Sequence, residues 1–246
     1  MSSGIVGALC RRELRAYFAT PLATVFLVIF VAANGVFTFY MGGFYEQGRA
    51  DLHAFFRFHP WLYLLLVPAV SMRLWAEERR SGTLELLLTL PIAPWQAALG
   101  KFLAGWVFCG IALALTFPLW LTVNYLGEPD NGVILAAYLG SWLMAGCYLA
   151  IGGCVSALTD SQVIAFIVTV SVCFLFIAAG SPIVMDLFAG WSEGWLWSAV
   201  AGSSFLVRFD AISKGVLDAR DLWYFVVVGA LWLLATAIVI DGDSAR

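Results

Sequence analysis

Charge is what this chain has least of. Asp, Glu, Lys and Arg make up 12% of its 246 residues, and only two of them are lysines, Lys101 and Lys214. A soluble domain carries about 25% charged residues, so a water-facing surface around a chain of this length is excluded. Cysteine is sparse too. Cys10, Cys109, Cys147, Cys154 and Cys173 form no CxxC pair and lie in or beside apolar segments, which reads as packing and not as a disulfide framework or metal site. No G-x-x-x-x-G-K-[ST] pattern occurs, so the chain has no phosphate-binding loop with which to hydrolyse ATP. His53 and His59 are six apart, on different helical faces and wrongly spaced for a metal pair. They are expected to be interfacial histidines at the outer end of a membrane span. No nucleophile–base constellation stands out. The chain is not expected to be an enzyme, to hold a cofactor or to bind nucleic acid.

What is present is apolar. Hydrophobic residues make up 62% of the chain, with a mean hydropathy of +0.91, and long apolar runs recur along its length. Six spans are expected, at about 22–42, 57–76, 97–123, 132–157, 161–180 and 221–240. Each is near or above the roughly 20 residues that cross a hydrocarbon core. The first run is too long for a secretory signal and lacks a following A-x-A site, so it is expected to stay as a span. With an inside N-terminus, the short loops around the first three spans hold seven Lys/Arg residues inside and two outside, which places both ends of this chain in the cytoplasm. The middles of the spans carry no Asp, Glu, Lys, Arg or His, which disfavours an internal ion site. Asn34 is the most polar mid-span side chain and is expected to bond to a neighbouring helix.

Three connections carry structure of their own. Residues 4–19 place Val6, Cys10, Leu14 and Tyr17 on one helical face and Arg11, Arg12 and Arg15 away from it. This predicts an amphipathic helix in the inner interface, its arginines near anionic headgroups. Residues 181–220, with Trp191, Trp195 and Trp197, predict short outer-surface helices, the stripe Phe205, Phe209, Ile212, Val216 marking one of them. Asp218 and Asp221 suit the start of the last span. The third connection, EERRSGTLELLLTLP at 77–91, predicts a short helix capped by Ser81 or Thr83. Glu85 lies in its first turn, Leu84, Leu87 and Leu88 form its apolar side, and Pro91 stops it.

That connection resembles the cytoplasmic loop of ABC-2 type permeases, the membrane subunits of a class of ATP-binding-cassette transporters. The family pattern, an acid followed by G-T-L-E-x-L and a proline, is met by Glu77 or Glu78, Gly82, Thr83, Leu84, Glu85, Leu87 and Pro91. LTDSQVIAF (158–166) and SFLVRFDAISKGVLDARDLWYF (204–225) extend the resemblance toward the gliding-motility branch, covering nearly the whole chain as a single permease domain. The resemblance implies an all-α membrane subunit of the bacterial inner membrane. It implies that the 77–95 loop is a coupling helix docking on a separate ABC ATPase subunit, through Glu77, Gly82, Thr83, Glu85, Leu87 and Pro91. It also implies that ATP is bound by that partner, that a second permease subunit pairs with this one, and that the complex exports its cargo. Asp160, in the turn LTDSQ, is a candidate for a second ATPase contact.

Small residues Ser161, Ala165, Thr169 and Cys173 recur every four positions along the fifth span. Such stripes let helices approach closely in lipid, so these four are candidates for the dimer interface, with packing inside one subunit as the alternative. Gly146 and Ala150 form a weaker stripe of the second kind. Two rival functions stay open at this point, an ion-driven secondary carrier and a membrane scaffold or mechanical complex that moves no conventional solute.

Overall fold

Glycine, alanine and serine decide which helix lies in the middle. In the computed structural model, which describes residues 2–46, 48, 51–89, 92–181, 184 and 202–244, α9 (Asn131–Ala157) is buried along most of its length. Side chains as small as Ala145, Gly146, Ala150, Gly152 and Gly153 let other helices close on it from several sides. A helix buried all round shows no polar face, and the sequence of α9 shows none. At Gly152 an added Cβ would stand 1.9 Å from Ser71 Oγ and 3.1 Å from Thr169 Cγ2. Only hydrogen fits there.

Around α9 stand α1 (Ser2–Ala19), α2 (Pro21–Val36, continued by a π-helical turn over Phe37–Met41), α3 (His53–Arg57), α4 (His59–Ser71), α5 (Ala76–Ser81), α6 (Thr83–Leu88), α7 (Pro94–Ala114), α8 (Phe117–Leu126), α10 (Gln162–Ala178), α11 (Phe205–Ser213) and α12 (Ala219–Ser244). Among the described residues there is no strand. Paired positions give the directions. Tyr63 meets Ser141 and Ser71 meets Gly152, so α4 runs with α9. Cys147 meets Phe225 and Cys154 meets Thr236, so α12 does as well. α7 and α10 run the opposite way: Gly105 packs on Leu149 and Thr116 reaches Tyr138, while Thr169 packs on Gly152 and Ser204, just before α11, reaches Ile177. Trp106 and Trp142 clasp α7 to α9. Their indoles stack at 4.1 Å, and each Nε1 donates to the other residue's backbone carbonyl, at 2.9 and 3.0 Å.

Among the described residues, four helices are long and apolar enough to cross a membrane: Ala23–Met41, Pro94–Leu126, Asn131–Ala157 and Ala219–Gly242. The expected fifth span is an apolar helix of 17 residues, α10. The expected second span is two helices that meet at Phe58. Pro60, in the first turn of α4, has no N–H to give to a carbonyl four residues back and stands at the start of a helix, the position that proline favours. Pro118 does the same between α7 and α8, where Thr116 Oγ1 donates to the Leu113 carbonyl at 2.6 Å.

Several sequence expectations are corrected here. Among the described residues Asn34 makes no bond to a neighbouring helix; its amide donates to the Phe30 carbonyl of its own helix at 2.8 Å, and Thr38 donates to the Asn34 carbonyl. His59, expected at the outer end of the second span, is fully buried there against Phe55, Phe56 and Tyr63. Ala165, Thr169 and Cys173 are wholly buried inside this chain, and Ser161 caps α10 by accepting from the Ile164 N–H. The small-residue stripe is therefore spent on α9 and α4 and is not a dimer surface. Val216 lies past the end of α11 and is exposed, whereas Phe205, Phe209 and Ile212 are buried as expected. Trp191, Trp195, Trp197 and Pro91 lie outside the described residues.

Candidate functional site

The end of the bundle where α4 gives way to α5 gathers most of the charge in the described structure. Ser156, in the last turn of α9, organises it. Its Oγ accepts from the backbone N–H groups of Trp75 and Ala76, at 3.1 and 3.0 Å, and donates to the Met72 carbonyl at 2.9 Å. Those N–H groups belong to the start of α5, where a helix has no internal partners for them. One hydroxyl thus fixes the point at which the chain leaves α4 and turns into α5.

Lys101 does the rest. It projects from α7 and is only 2% exposed, a burial that a lysine tolerates only when paired. Its Nζ donates to the Leu74 carbonyl at 2.8 Å and to Glu78 Oε1 of α5 at 2.7 Å. Glu13 Oε2 of α1 stands 3.8 Å away, and the ammonium lies 4.7 Å from the centre of the Trp75 ring. Arg12 completes the group through Glu13 at 2.5 Å, with Glu78 at 3.9 Å. A single buried cation therefore joins α1, the end of α4, α5 and α7. A cleft of about 410 Å³ opens beside it, lined by Tyr17, Arg73, Glu77, Ser81 and Thr83 among others.

The expected coupling segment is two six-residue helices, not one. Gly82 divides them with φ +71°, in the left-handed region that costs other residues roughly 1–2 kcal/mol. Ser81 and Thr83 do not cap α6. Ser81 Oγ donates to the Glu77 carbonyl at 2.9 Å and Thr83 Oγ1 to the Glu78 carbonyl at 3.4 Å, so both serve the last turn of α5. Glu77 takes a two-pronged contact from Arg73, at 2.8 and 3.1 Å, and that hydrogen bonding holds its carboxyl below the usual range. Leu84 and Leu87 are buried, while Glu85 and Leu86 face outward.

The α9–α10 turn comes to this same end, with Asp160 exposed in it. The structure thus brings Glu77, Gly82, Thr83, Glu85, Leu87 and Asp160 to one end of the bundle. Ala165, Thr169 and Cys173 run away from it into the interior. α1 is also placed here. It packs along α7 with Leu9 against Gly100 and Tyr17 stacked on Phe108 at 5.3 Å. Its most buried residue is Leu9, not a member of the expected stripe, of which Val6, Cys10 and Leu14 are half-buried.

A family model described as ABC-2 family transporter protein matches residues 20–194. The chain belongs to that family. The match covers α2 to α10 and so includes the two-helix segment, Lys101, Ser156 and Asp160. Membership makes this a transporter-family membrane protein of the permease class, whose members generally work with an ABC ATPase subunit. It stops at the family level and does not extend to the gliding-motility branch. A comparison with curated proteins gives no match.

Reading the ABC-2 segment from sequence alone missed Lys101, Glu13 and Ser156. A signal for Lys101 exists: a lone lysine four residues inside an expected span must find an acid or leave the membrane. Ser156 gives none, since its role depends on a turn some eighty residues earlier in the chain.

Proposed function

We propose that this chain is the permease subunit of an ATP-driven exporter, moved by a separate ABC ATPase that docks on α5–α6. One observation carries the reading. The outer side of the segment, Glu85 and Leu86, is free to meet a partner, while its inner side is fastened through Lys101 and Ser156 to α1, α4, α7 and α9. A push on α6 would pass through Gly82 to α5, and from Glu78 and Lys101 to the membrane helices. A linker lying idle on the surface would need no such fastening. Gly82, Thr83, Glu77 and Leu87 shape and seat the segment, Glu85 meets the ATPase, and Asp160 makes a smaller contact beside it. ATP stays on the partner. The likeness of 158–166 and 204–225 to the gliding-motility branch supports a bacterial inner-membrane setting with both ends of this chain inside.

Two permeases and two ATPases complete the unit. With the small-residue stripe of α10 used internally, the second permease would meet this one through another apolar face, such as Val25, Val28 and Ile29 of α2, which are exposed. Alternation between two packings of the bundle, biased by ATP on the partner, would open and close the path.

Co-purification with the ATPase tests the reading. Gly82→Pro cannot adopt a positive φ, and Glu85→Arg reverses the charge of the outward face. Both are expected to abolish ATPase association and the ATP turnover that depends on it. Survival of association and turnover in both variants would overturn the assignment.

A further inference from the structure

α1 and the first half of α7 run side by side, and between them lies an open groove of about 560 Å³. Two apolar stripes form its walls, Val6, Cys10 and Leu14 on α1 and Trp95, Leu99 and Leu103 on α7. Each stripe advances by one helical turn per residue, so the walls are straight and parallel. None of these six is buried, and Trp95 is about half exposed. Indole belongs at the level of lipid headgroups.

The rim is cationic. Arg11 lines the groove, and Arg15, four residues on, lies along the same side of α1. Both are exposed, and neither has an acidic partner among the described residues, although Arg12 between them is paired with Glu13 and both Arg73 and Lys101 are neutralised by Glu77 and Glu78. Acids are within easy reach of this end of the bundle, yet the two guanidiniums beside the groove are left unpaired. An apolar channel with unpaired guanidiniums at its edge matches a ligand with a long hydrocarbon chain and an anionic head.

We propose that this groove binds one acidic glycerophospholipid of the inner leaflet. An acyl chain lies along the two stripes, and the phosphate sits on Arg11 with Arg15 in reach. The proposal takes from the reading above only that α1 lies at the membrane's inner surface, and it is independent of ATPase docking. It goes beyond general attraction of basic residues to an acidic surface, because it requires the groove as well as the charge.

Gly7 allows those two requirements to be separated. It lines the groove, and a Cβ there meets nothing within 4 Å. Gly7→Leu therefore starts its side chain in open space, adds a branched side chain to the groove from the α1 side and raises helix propensity. The full chain, stripped of lipid in a neutral detergent, would be titrated with phosphatidylglycerol, phosphatidylcholine and the soluble headgroup glycerophosphoglycerol. Bound molecules would be counted by native mass spectrometry. One phosphatidylglycerol should bind more tightly than phosphatidylcholine, with no retention of the headgroup alone. Arg11→Gln and Arg15→Gln should each weaken it roughly fivefold, the figure for about 1 kcal/mol per basic residue. Arg11→Lys should keep most of the affinity, and Gly7→Leu should remove the site with both arginines in place. Equal binding of the two lipids would overturn the proposal, as would an unaffected Gly7→Leu variant. Binding of the soluble headgroup as tightly as the lipid would make this an anion site and not a lipid groove.

Discussion

Removing the Lys101 side-chain charge takes from half-buried Glu78 its hydrogen-bonded partner and leaves it only the more distant Arg12, at 3.9 Å. Breaking a buried pair by deleting one partner costs about 3–5 kcal/mol, mostly from the stranded charge. The two carboxylates around the ammonium are not equivalent, and their distances rank them. Glu78 is hydrogen-bonded at 2.7 Å, whereas Glu13 stands at 3.8 Å and already holds Arg12. Thermal unfolding in detergent should therefore show Lys101→Met as the most destabilised variant, Glu78→Gln next and Glu13→Gln least. If Glu13→Gln cost as much as Lys101→Met, the cation would be anchored to α1 and not to α5. This residue was visible in the sequence as a lysine out of place, but its partners were not. Glu13 precedes it by 88 positions, and no spacing rule pairs the two.

At the scale of elements, apolar runs predict helices well and their breaks less well. α9 and α12 could be read from length and hydropathy alone. The split of the expected second span at Phe58 is marked by Pro60, which was readable, yet a proline in a first turn is also compatible with one unbroken helix starting later. The two-helix form of the α5–α6 segment depends on the sign of φ at Gly82, which the letter G permits without requiring. The stripe Ala165, Thr169, Cys173 was correctly recognised as a close-packing face, but a stripe does not say what packs on it. The partner is α9, at Gly152. Gly152→Ala should overpack this contact and cost about 1–3 kcal/mol, since the new methyl would meet Ser71 Oγ and Cβ at 1.9 and 2.6 Å. Adding Ser71→Gly should recover a large part of the loss, read as a positive coupling in a double-mutant cycle. No recovery would mean that the strain comes from Thr169, and that α10 and not α4 sets the spacing.

Across the whole molecule, the open question is how many of the rods cross. Among the described residues four helices are long and apolar enough by themselves, and the two that fall short, α3–α4 and α10, make the difference between four crossings and six. The ends of this chain cannot decide between them, because both counts are even and leave the two ends on one side. Positions that bracket each short rod can. Asp51 and Glu85 flank α3–α4, and Asp160 and Lys214 flank α10; all but half-buried Asp51 are exposed. Single cysteines would be placed at these four positions in a Cys10→Ser background, the remaining native cysteines being buried. With six crossings, a membrane-impermeant maleimide should label Asp51→Cys and Lys214→Cys in intact cells, and Glu85→Cys and Asp160→Cys only after permeabilisation. Antiparallel packing of α10 on α9 and the parallel course of α4 beside α9 both favour this outcome, since each puts the two brackets at opposite ends of the bundle. Labelling of Asp51→Cys and Glu85→Cys from the same side would remove α3–α4 from the list of spans. The same result at Asp160 and Lys214 would remove α10. Either loss by itself would make the count odd and place the two ends of this chain on opposite sides, a second reading of the same experiment that must agree with the first.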